Sequence, residues 1–263
     1  MIRVGVFGAA GRMGTTVCRA VLDDPELELV AAVDPLHAGI DLRQLGVEAP
    51  SMQVAGSADS LADAGAEVAV DFTVVDAARA NLEWCAANGV HAVVGTTGFS
   101  ADDIAGFRTQ FDASTANAVI APNFAIGAVL MIRFAELAAP YFETAEVIEL
   151  HHDQKIDAPS GTAMLTVERM AAASDEWAPD PTTKTVVDGA RGGVGAAGIR
   201  VHSVRLRGLV AHEEVLLGTT GQSLTIRHDS YDRTSFMPGV LLAVRRVRET
   251  AGLTVGLDSL LGL

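Results

Sequence analysis

The stretch Ile2-Arg3-Val4-Gly5-Val6-Phe7-Gly8-Ala9-Ala10-Gly11-Arg12-Met13-Gly14 decides the fold. Its first six residues, Ile2–Phe7, are apolar and rich in β-branched side chains, which reads as a buried strand. Glycines at 8, 11 and 14 follow, and Arg12–Leu22 reads as a helix that stops before Asp23-Asp24-Pro25. Glycines between a strand and a helix let the backbone turn tightly and approach a pyrophosphate, whose charge the helix N-terminus holds. The spacing is G-x-x-G-x-x-G rather than the commoner G-x-G-x-x-G, so its context carries more weight than its pattern. A second strand, Leu27–Val33, ends at Asp34, twenty residues after Gly14, where a carboxylate would accept the hydroxyls of an adenosine ribose. Dinucleotide binding is the expectation; a structural glycine turn with a strand-capping Asp34 is the bland alternative. Arg12 is either a solvated first-turn residue or a partner for a 2′-phosphate, a group that Asp34 would repel. No basic residue directly follows Asp34, only Pro35 and Leu36.

Outward from this stretch, short β-branched runs alternate with amphipathic ones. Val68–Phe72, His91–Gly95 and Ala118–Ala121 read as strands, Asp76–Asn88 (closed by Gly89) and Ala101–Phe111 as helices, and Pro35–Gly56 as an irregular excursion. Such alternation implies parallel strands joined by right-handed crossovers, hence a Rossmann-like, doubly wound α/β sheet. After Asn123 the texture changes. Gly127–Phe142 and Thr162–Ala173 read as helices, Ala145–Leu150 as a strand, and Ser174–Gly198 as a long loop. Ile199–Leu206, Glu213–Thr219 and Ser223–Asp229 are strand-like with only turns between them, so an antiparallel arrangement is expected. Phe236–Arg248 closes the series as a helix with one apolar face. The second part is therefore an α+β domain on a mixed or antiparallel sheet.

The length of 263 residues suits two domains, and 49% hydrophobic residues with 20% charged ones give a substantial core. A net charge of −14 argues against non-specific nucleic-acid or anionic-membrane binding. Two cysteines, Cys18 and Cys85, make neither a disulfide framework nor a thiolate metal cage, and both fall in helical runs where a nucleophilic thiol is not expected. No apolar run reaches the length of a membrane span, and the opening residues lack a signal peptide's apolar stretch; the expectation is a soluble, cytoplasmic protein.

The densest chemistry lies in Glu149-Leu150-His151-His152-Asp153-Gln154-Lys155-Ile156-Asp157-Ala158-Pro159-Ser160-Gly161-Thr162-Ala163. Two histidines and a lysine cluster where a strand gives way to a loop, and Ser160 is a credible N-cap for the following helix. The amides of Gly161 and Thr162 would then face an anion, and Lys155 with one imidazole would complete a carboxylate pocket. The other imidazole would serve as a proton donor. A surface cluster at a strand end and a metal site from His151, His152 and Asp153 are the competing readings. Adjacent strand residues point to opposite faces, which disfavours chelation, and no metal is expected.

The run from His151 through Ala163 resembles the HHxxKxDAPSGTA signature of the dihydrodipicolinate reductase family, the 4-hydroxy-tetrahydrodipicolinate reductases of bacterial lysine biosynthesis. Val4–Gly8 with its glycine loop, Asp71-Phe72-Thr73, Gly95-Thr96-Thr97-Gly98-Phe99, Ala121-Pro122-Asn123-Phe124-Ala125-Ile126-Gly127, Gly208–Val215 and Arg227–Arg233 fit as well, in order along nearly the whole chain. Ala-Ile-Gly after Asn123-Phe124 looks actinobacterial. The resemblance implies a dinucleotide-binding domain over 1–124, to which a C-terminal helix at 234–263 returns, and a substrate-binding and oligomerisation domain over 125–233 that assembles a homotetramer. It implies hydride transfer from NADH or NADPH to a small cyclic imine dicarboxylate, with loss of water, giving tetrahydrodipicolinate on the diaminopimelate route. By position, His151 matches the proton donor, with Lys155 beside it in catalysis. His152, Lys155, Ser160, Gly161 and Thr162 match the contacts to substrate carboxylate. Gly8, Ala9, Ala10, Gly11, Arg12, Met13, Gly14 and Asp34 match the contacts to the nucleotide. Phe72, Thr73 and Thr96 match further contacts to the cofactor, and Gly95, Thr97, Ala121, Pro122, Asn123 and Phe124 match those nearer the nicotinamide. The departures are at the nucleotide end, where Ala10 replaces a lysine seen in some relatives and no arginine follows Asp34. Dual cofactor use leaning to NADH is the expectation. A homoserine-type dehydrogenase would not need the His-His-Lys cluster, and a cofactor-sensing module would bind without turnover.

Overall fold

The structure is a computed structural model that describes residues 1–263. In chain order the first elements are β1 (Ile2–Phe7), α1 (Arg12–Asp23), β2 (Leu27–Val33), α2 (Asp59–Asp63), β3 (Val68–Asp71), α3 (Val75–Asn88), β4 (His91–Val94), α4 (Ala101–Asp112) and β5 (Ala118–Ile120). Then come α5 (Ile126–Ala138), β6 (Thr144–His151), α6 (Gly161–Ala173), β7 (Gly193–Val194), β8 (Arg200–Arg205), β9 (Ala211–Thr219) and β10 (Gln222–Ser230). The chain closes with α7 (Met237–Arg246), β11 (Leu253–Val255) and α8 (Asp258–Leu261). Two compact units result: Met1–Phe124 with Phe236–Leu263, and Ala125–Ser235.

In the first unit six strands form one parallel sheet in the order β11-β5-β4-β3-β1-β2. The strands are nearly continuous apolar runs because helices cover them, as parallel sheets require; Val4, Val68, Val70, Val93 and Val119 are at most 1% exposed. The register sets the site. Phe7 stands opposite both Val33 and Asp71, Asp71 opposite Val94, and Val94 opposite Ile120. The next residues in each chain segment, Gly8, Asp34, Phe72, Gly95 and Ala121, therefore emerge in one row at the carboxyl edge. The chain reverses its direction of strand addition between β1 and β3, which is where such sheets bind ligands.

The second unit has a mixed sheet, β10-β9-β6-β8-β7. Ala145 and Val147 of β6, Val201 of β8, and Val215 and Leu217 of β9 pack on one face against Met131 and Ile132 of α5 and Val167 and Met170 of α6. The expectation that the three late strands pair with one another is corrected here. Only β9 and β10 do so; β6 inserts between β8 and β9, parallel to the former and antiparallel to the latter. The link Leu206–Val210 thus steps over the end of β6, which turn signals alone do not show. A second correction concerns 234–263, which is not one helix. After α7, Gly252 and Gly256 take φ of +71° and +89° and bracket Leu253–Val255, which adds to the sheet edge beside β5. The helix expected over Gly127–Phe142 ends at Ala138, because Pro140 lacks the amide an α-helix needs there, and a 3-10 turn at Ala139–Tyr141 follows.

Candidate active site

At the nucleotide end the backbone makes the site. Gly8 adopts φ +63°, and a Cβ there would lie 2.9 Å from Thr73 Cγ2. A Cβ on Gly14 would come 2.0 Å from the Gly8 carbonyl oxygen, so α1 can start this close to β1 only with glycine at 14. The loop is fixed by Gly11 N–H donating to Gly8 O at 2.9 Å and by Ala9 N–H donating to Val33 O at 3.1 Å. Helix α1 has no side-chain N-cap and no acid in its first turn. The first-turn amides of Arg12, Met13 and Gly14 accordingly suit an anion, in line with the pyrophosphate expectation. Ala10 is half-buried and Arg12 exposed. Asp34, 9% exposed, accepts from Leu36 N–H through Oδ1, and His37 Nδ1 lies 3.0 Å from the same oxygen. His37 lies one residue beyond the pair, Pro35 and Leu36, in which the sequence shows no cation.

The next strand ends add side chains. Gly95 must lack a Cβ, which would sit 2.0 Å from Phe72 Cε1. The Phe72 ring in turn lies 5.6 Å from that of Phe124, tilted by 57°. Asp71, buried and not foreseen, orders this edge. It accepts from Thr73 N–H and Thr73 Oγ1 at 2.7 Å each and from Asn81 Nδ2 at 2.7 Å, while Thr96 Oγ1 donates to Thr73 O at 3.0 Å. Thr97 and Pro122 are exposed, Asn123 is half-buried, and Ala121 is buried.

In the second unit the site is made of charges. Along β6 the period of two puts Ala145, Val147, Glu149 and His151 on the face toward the helices. Glu149 is fully buried and accepts from His151 Nδ1 at 2.6 Å, from Ser160 N–H at 3.2 Å, and from both terminal nitrogens of Arg205 at 2.8 Å. Burial pushes the Glu149 carboxyl up, but the Arg205 guanidinium and the other donors outweigh it and hold it below its ordinary value. Burial likewise lowers the His151 pKa, against the opposing pull of Glu149. His152 is exposed just past the strand, its Nδ1 accepting from Gln154 N–H at 3.2 Å. Lys155 Nζ donates to both carboxylate oxygens of Asp157 at 2.8 Å, which leaves one of its three N–H donors.

Ser160 caps α6, its Oγ accepting from Ala163 N–H at 3.1 Å. A Cβ on Gly161 would meet nothing within 4 Å, so the space over the first amides of α6 is open. Behind them, Glu213 stands opposite Glu149 in the register, and burial pushes its carboxyl up to about 7. The hydrogen bonds agree. The Thr166 hydroxyl has one proton but two oxygen neighbours, Thr162 O at 3.0 Å and Glu213 Oε1 at 2.5 Å. A protonated Glu213 would donate to Thr166 Oγ1 and leave the hydroxyl proton for Thr162 O. The structure thus brings His151, Lys155, Ser160, Gly161 and Thr162 to one loop and helix start. Glu149, Arg205 and Glu213 carry no role in the sequence reading. Strand alternation links Glu149 to His151, whereas nothing local marks Arg205. A cavity of about 680 Å³ elsewhere in this unit, lined by residues such as Trp177, Asp180, Arg191 and Arg200, contains none of the His-Lys residues.

Comparison with known proteins identifies the family. The family models described as "Dihydrodipicolinate reductase, N-terminus" and "Dihydrodipicolinate reductase, C-terminus" match residues 2–124 and 127–261. Relatives named 4-hydroxy-tetrahydrodipicolinate reductase include one from Mycobacterium ulcerans, 52% identical over 264 residues, and one from Corynebacterium urealyticum, 50% identical over 268, each covering 100% of both chains. Among solved structures, a dipicolinate-bound dihydrodipicolinate reductase from Paenisporosarcina sp. TG-14 superposes with a TM-score of 0.86 at 40% identity, over 98% of this chain and 99% of that one. An amine dehydrogenase from Mycobacterium smegmatis, at 15% identity and a TM-score of 0.61 over 96% and 94% of the two chains, shares the fold.

Proposed function

The chain belongs to the dihydrodipicolinate reductase family, and from that premise we propose how its own residues divide the work. The reaction is the NAD(P)H-dependent reduction of 4-hydroxy-tetrahydrodipicolinate to tetrahydrodipicolinate, a step of diaminopimelate and lysine biosynthesis. The bound nicotinamide supplies hydride; the protein must hold the dicarboxylate and manage charge at the ring nitrogen. Hydride addition to a conjugated imine pushes electrons onto that nitrogen, so an acid or a cation beside it lowers the barrier. His151 is the proton donor. The remaining Lys155 donor, His152, and the Ser160-Gly161-Thr162 helix start take the carboxylates, the last through open amides. The residues from Gly8 to Gly14 and Asp34 hold the nucleotide, and Phe72, Thr73, Gly95, Thr96, Thr97 and Ala121–Phe124 line the nicotinamide side.

The observation that carries this reading is the convergence of a half-buried imidazole, a lysine and an uncovered helix start on one loop. A dianionic substrate also offsets the burial that holds His151 neutral, loading it with its proton as the complex forms. The Paenisporosarcina relative's dipicolinate is a dicarboxylate of the same kind. Metal plays no part in this scheme. A coupled assay with dihydrodipicolinate synthase, following NADH absorbance, tests it; cofactor binding without turnover on the freshly made imine would sink the assignment. Use of both NADH and NADPH with a lean to NADH, a cytoplasmic location and a homotetramer complete the proposal. The tetramer rests on the mixed sheet, where β10 is mostly exposed and Leu206 and Leu224 are exposed as well. An open edge and face of this sort are usually covered by closed association. Light scattering should give four copies per particle at micromolar concentration, and a stable monomer would refute it.

A further inference from the structure

Glu149 makes more bonds than a structural ion pair needs. Arg205 alone would neutralise it, with two parallel N–H···O contacts of 2.8 Å. Yet the carboxylate also takes His151 Nδ1 at 2.6 Å and the backbone N–H of Ser160 at 3.2 Å. A carboxylate offers about four lone-pair sites, and here every one is directed at a donor. These donors come from three places: the strand that carries the proposed acid, the first residue of the helix start that would hold the substrate, and β8. Arg205 Nη2 extends the set by donating to Asp157 O at 2.6 Å, in the loop that carries Lys155.

We propose that Glu149 is the positioning residue of the site: it fixes His151 with Nδ1–H directed inward, so that Nε2 is the nitrogen that delivers the proton. The inference rests on the reading of His151 as proton donor. The step balances simply. The imidazolium gives the Nε2 proton to the substrate nitrogen as that atom gains the electron pair from hydride addition, and the neutral ring keeps Nδ1–H on Glu149. The same carboxylate sets where the α6 amides stand relative to the ring, which a separate orienting group for each would not do. The charged and titratable neighbours of this pair are Lys155 and Asp157 from the loop, Arg205 from β8, and Glu213 from β9, the last uncharged when protonated.

Two measurements test this on the full-length enzyme. In the first, ¹⁵N spectra of the histidine rings, with His151→Gln identifying the signal, should show neutral His151 as the Nδ1–H tautomer. An Nε2–H tautomer overturns the proposal, and this measurement does not require any variant of Glu149 to fold. In the second, Glu149→Gln should lower kcat about 10–100-fold, the cost seen when the partner that orients a metal-bound histidine is removed, while the NADH dissociation constant stays within twofold. A proton donor works below its pKa. Loss of the carboxylate lowers that pKa, so activity should fall away about one pH unit earlier as pH rises. Glu149→Asp, which keeps the charge, should restore the position of that limb. A folded Glu149→Gln enzyme with the wild-type limb would overturn the proposal even if its stability dropped. His151→Gln with undiminished kcat removes the proton-donor reading itself. His151→Gln with a large loss beside an unaltered Glu149→Gln removes only the role of Glu149.

Discussion

The two units build their sites from opposite materials. The first uses backbone: glycines at 8, 14 and 95 whose missing Cβ atoms make room, amides at the start of α1, and a parallel register that lines up five strand ends. The second uses ionised side chains on a single loop, tied down by one buried carboxylate. A backbone site suits a cofactor recognised by its shape and phosphates. A side-chain site suits a reaction in which charge appears and must be met. Damage should therefore be separable: changes in the second unit should strike turnover and leave cofactor affinity intact.

The largest effect tests that separation. Lys155→Ala removes the one cation of the loop and would leave a desolvated substrate carboxylate without its cation, a loss on the order of 2–4 kcal/mol. That corresponds to a drop in kcat/KM of about 30–1,000-fold. Freed of Lys155, Asp157 would add its own negative charge near the site, pushing the loss toward the upper end. The NADH dissociation constant, from fluorescence titration, should be unchanged. Equal losses in both quantities would mean that the two sites are not independent and that the contrast fails.

The contrast also explains what is legible in the sequence. The glycine spacing, Asp34 and the strand–helix alternation are local patterns, and β1, β2 and α3 run within a residue of where the periodicity puts them. The His-His-Lys segment is readable because its residues lie within thirteen positions of one another. What escapes depends on distant pairing. Arg205 reaches Glu149 across 56 residues only because β8 lies beside β6, a placement that short turns between strands do not suggest. Asp71 looks like part of a strand, and its role with Thr73, Asn81 and Thr96 emerges only from the folded edge. Leu253–Val255 is too short to announce itself, although the flanking glycines bracket it.

A buried acid in the second unit gives an intermediate effect. Glu213 titrates near 4.5 in an unfolded chain and at about 7 when folded. Between those values the folded protein keeps a proton that the unfolded chain has released, so stability should fall as pH rises through this window. Above about 7 the folded carboxyl ionises and the loss is complete, on the order of 3 kcal/mol for a shift of this size. Glu213→Gln stays neutral and can still donate to Thr166. Its stability, from urea unfolding at pH 5 and pH 8, should lack most of that decline. A variant that loses as much as the wild type over this range would assign the decline to other groups and leave Glu213 ionised.

The smallest effect probes the backbone-built site, where side chains only adjust affinity. On the proposed reading Asp34 would accept the ribose hydroxyls of NADH and would repel a 2′-phosphate. Arg12 opposes that repulsion from an exposed position at the start of α1, and an exposed ion pair contributes about 0.2–1 kcal/mol. His37, 3.0 Å from Asp34 Oδ1, engages the same carboxylate and blunts its charge further when protonated. With these influences nearly cancelling, both cofactors should bind, with a lean to NADH below about a hundredfold, under roughly 2.7 kcal/mol. Arg12→Ala should weaken NADPH by about two- to fivefold and leave NADH unchanged. Asp34→Ser should narrow the gap from the other side by relieving repulsion. Direct titration of each cofactor against the three proteins measures all of this without turnover. A wild type that strongly prefers NADPH, unmoved by Arg12→Ala, would place the phosphate beside another cation. His37→Ala would then show whether that cation is the imidazole at the end of the same turn.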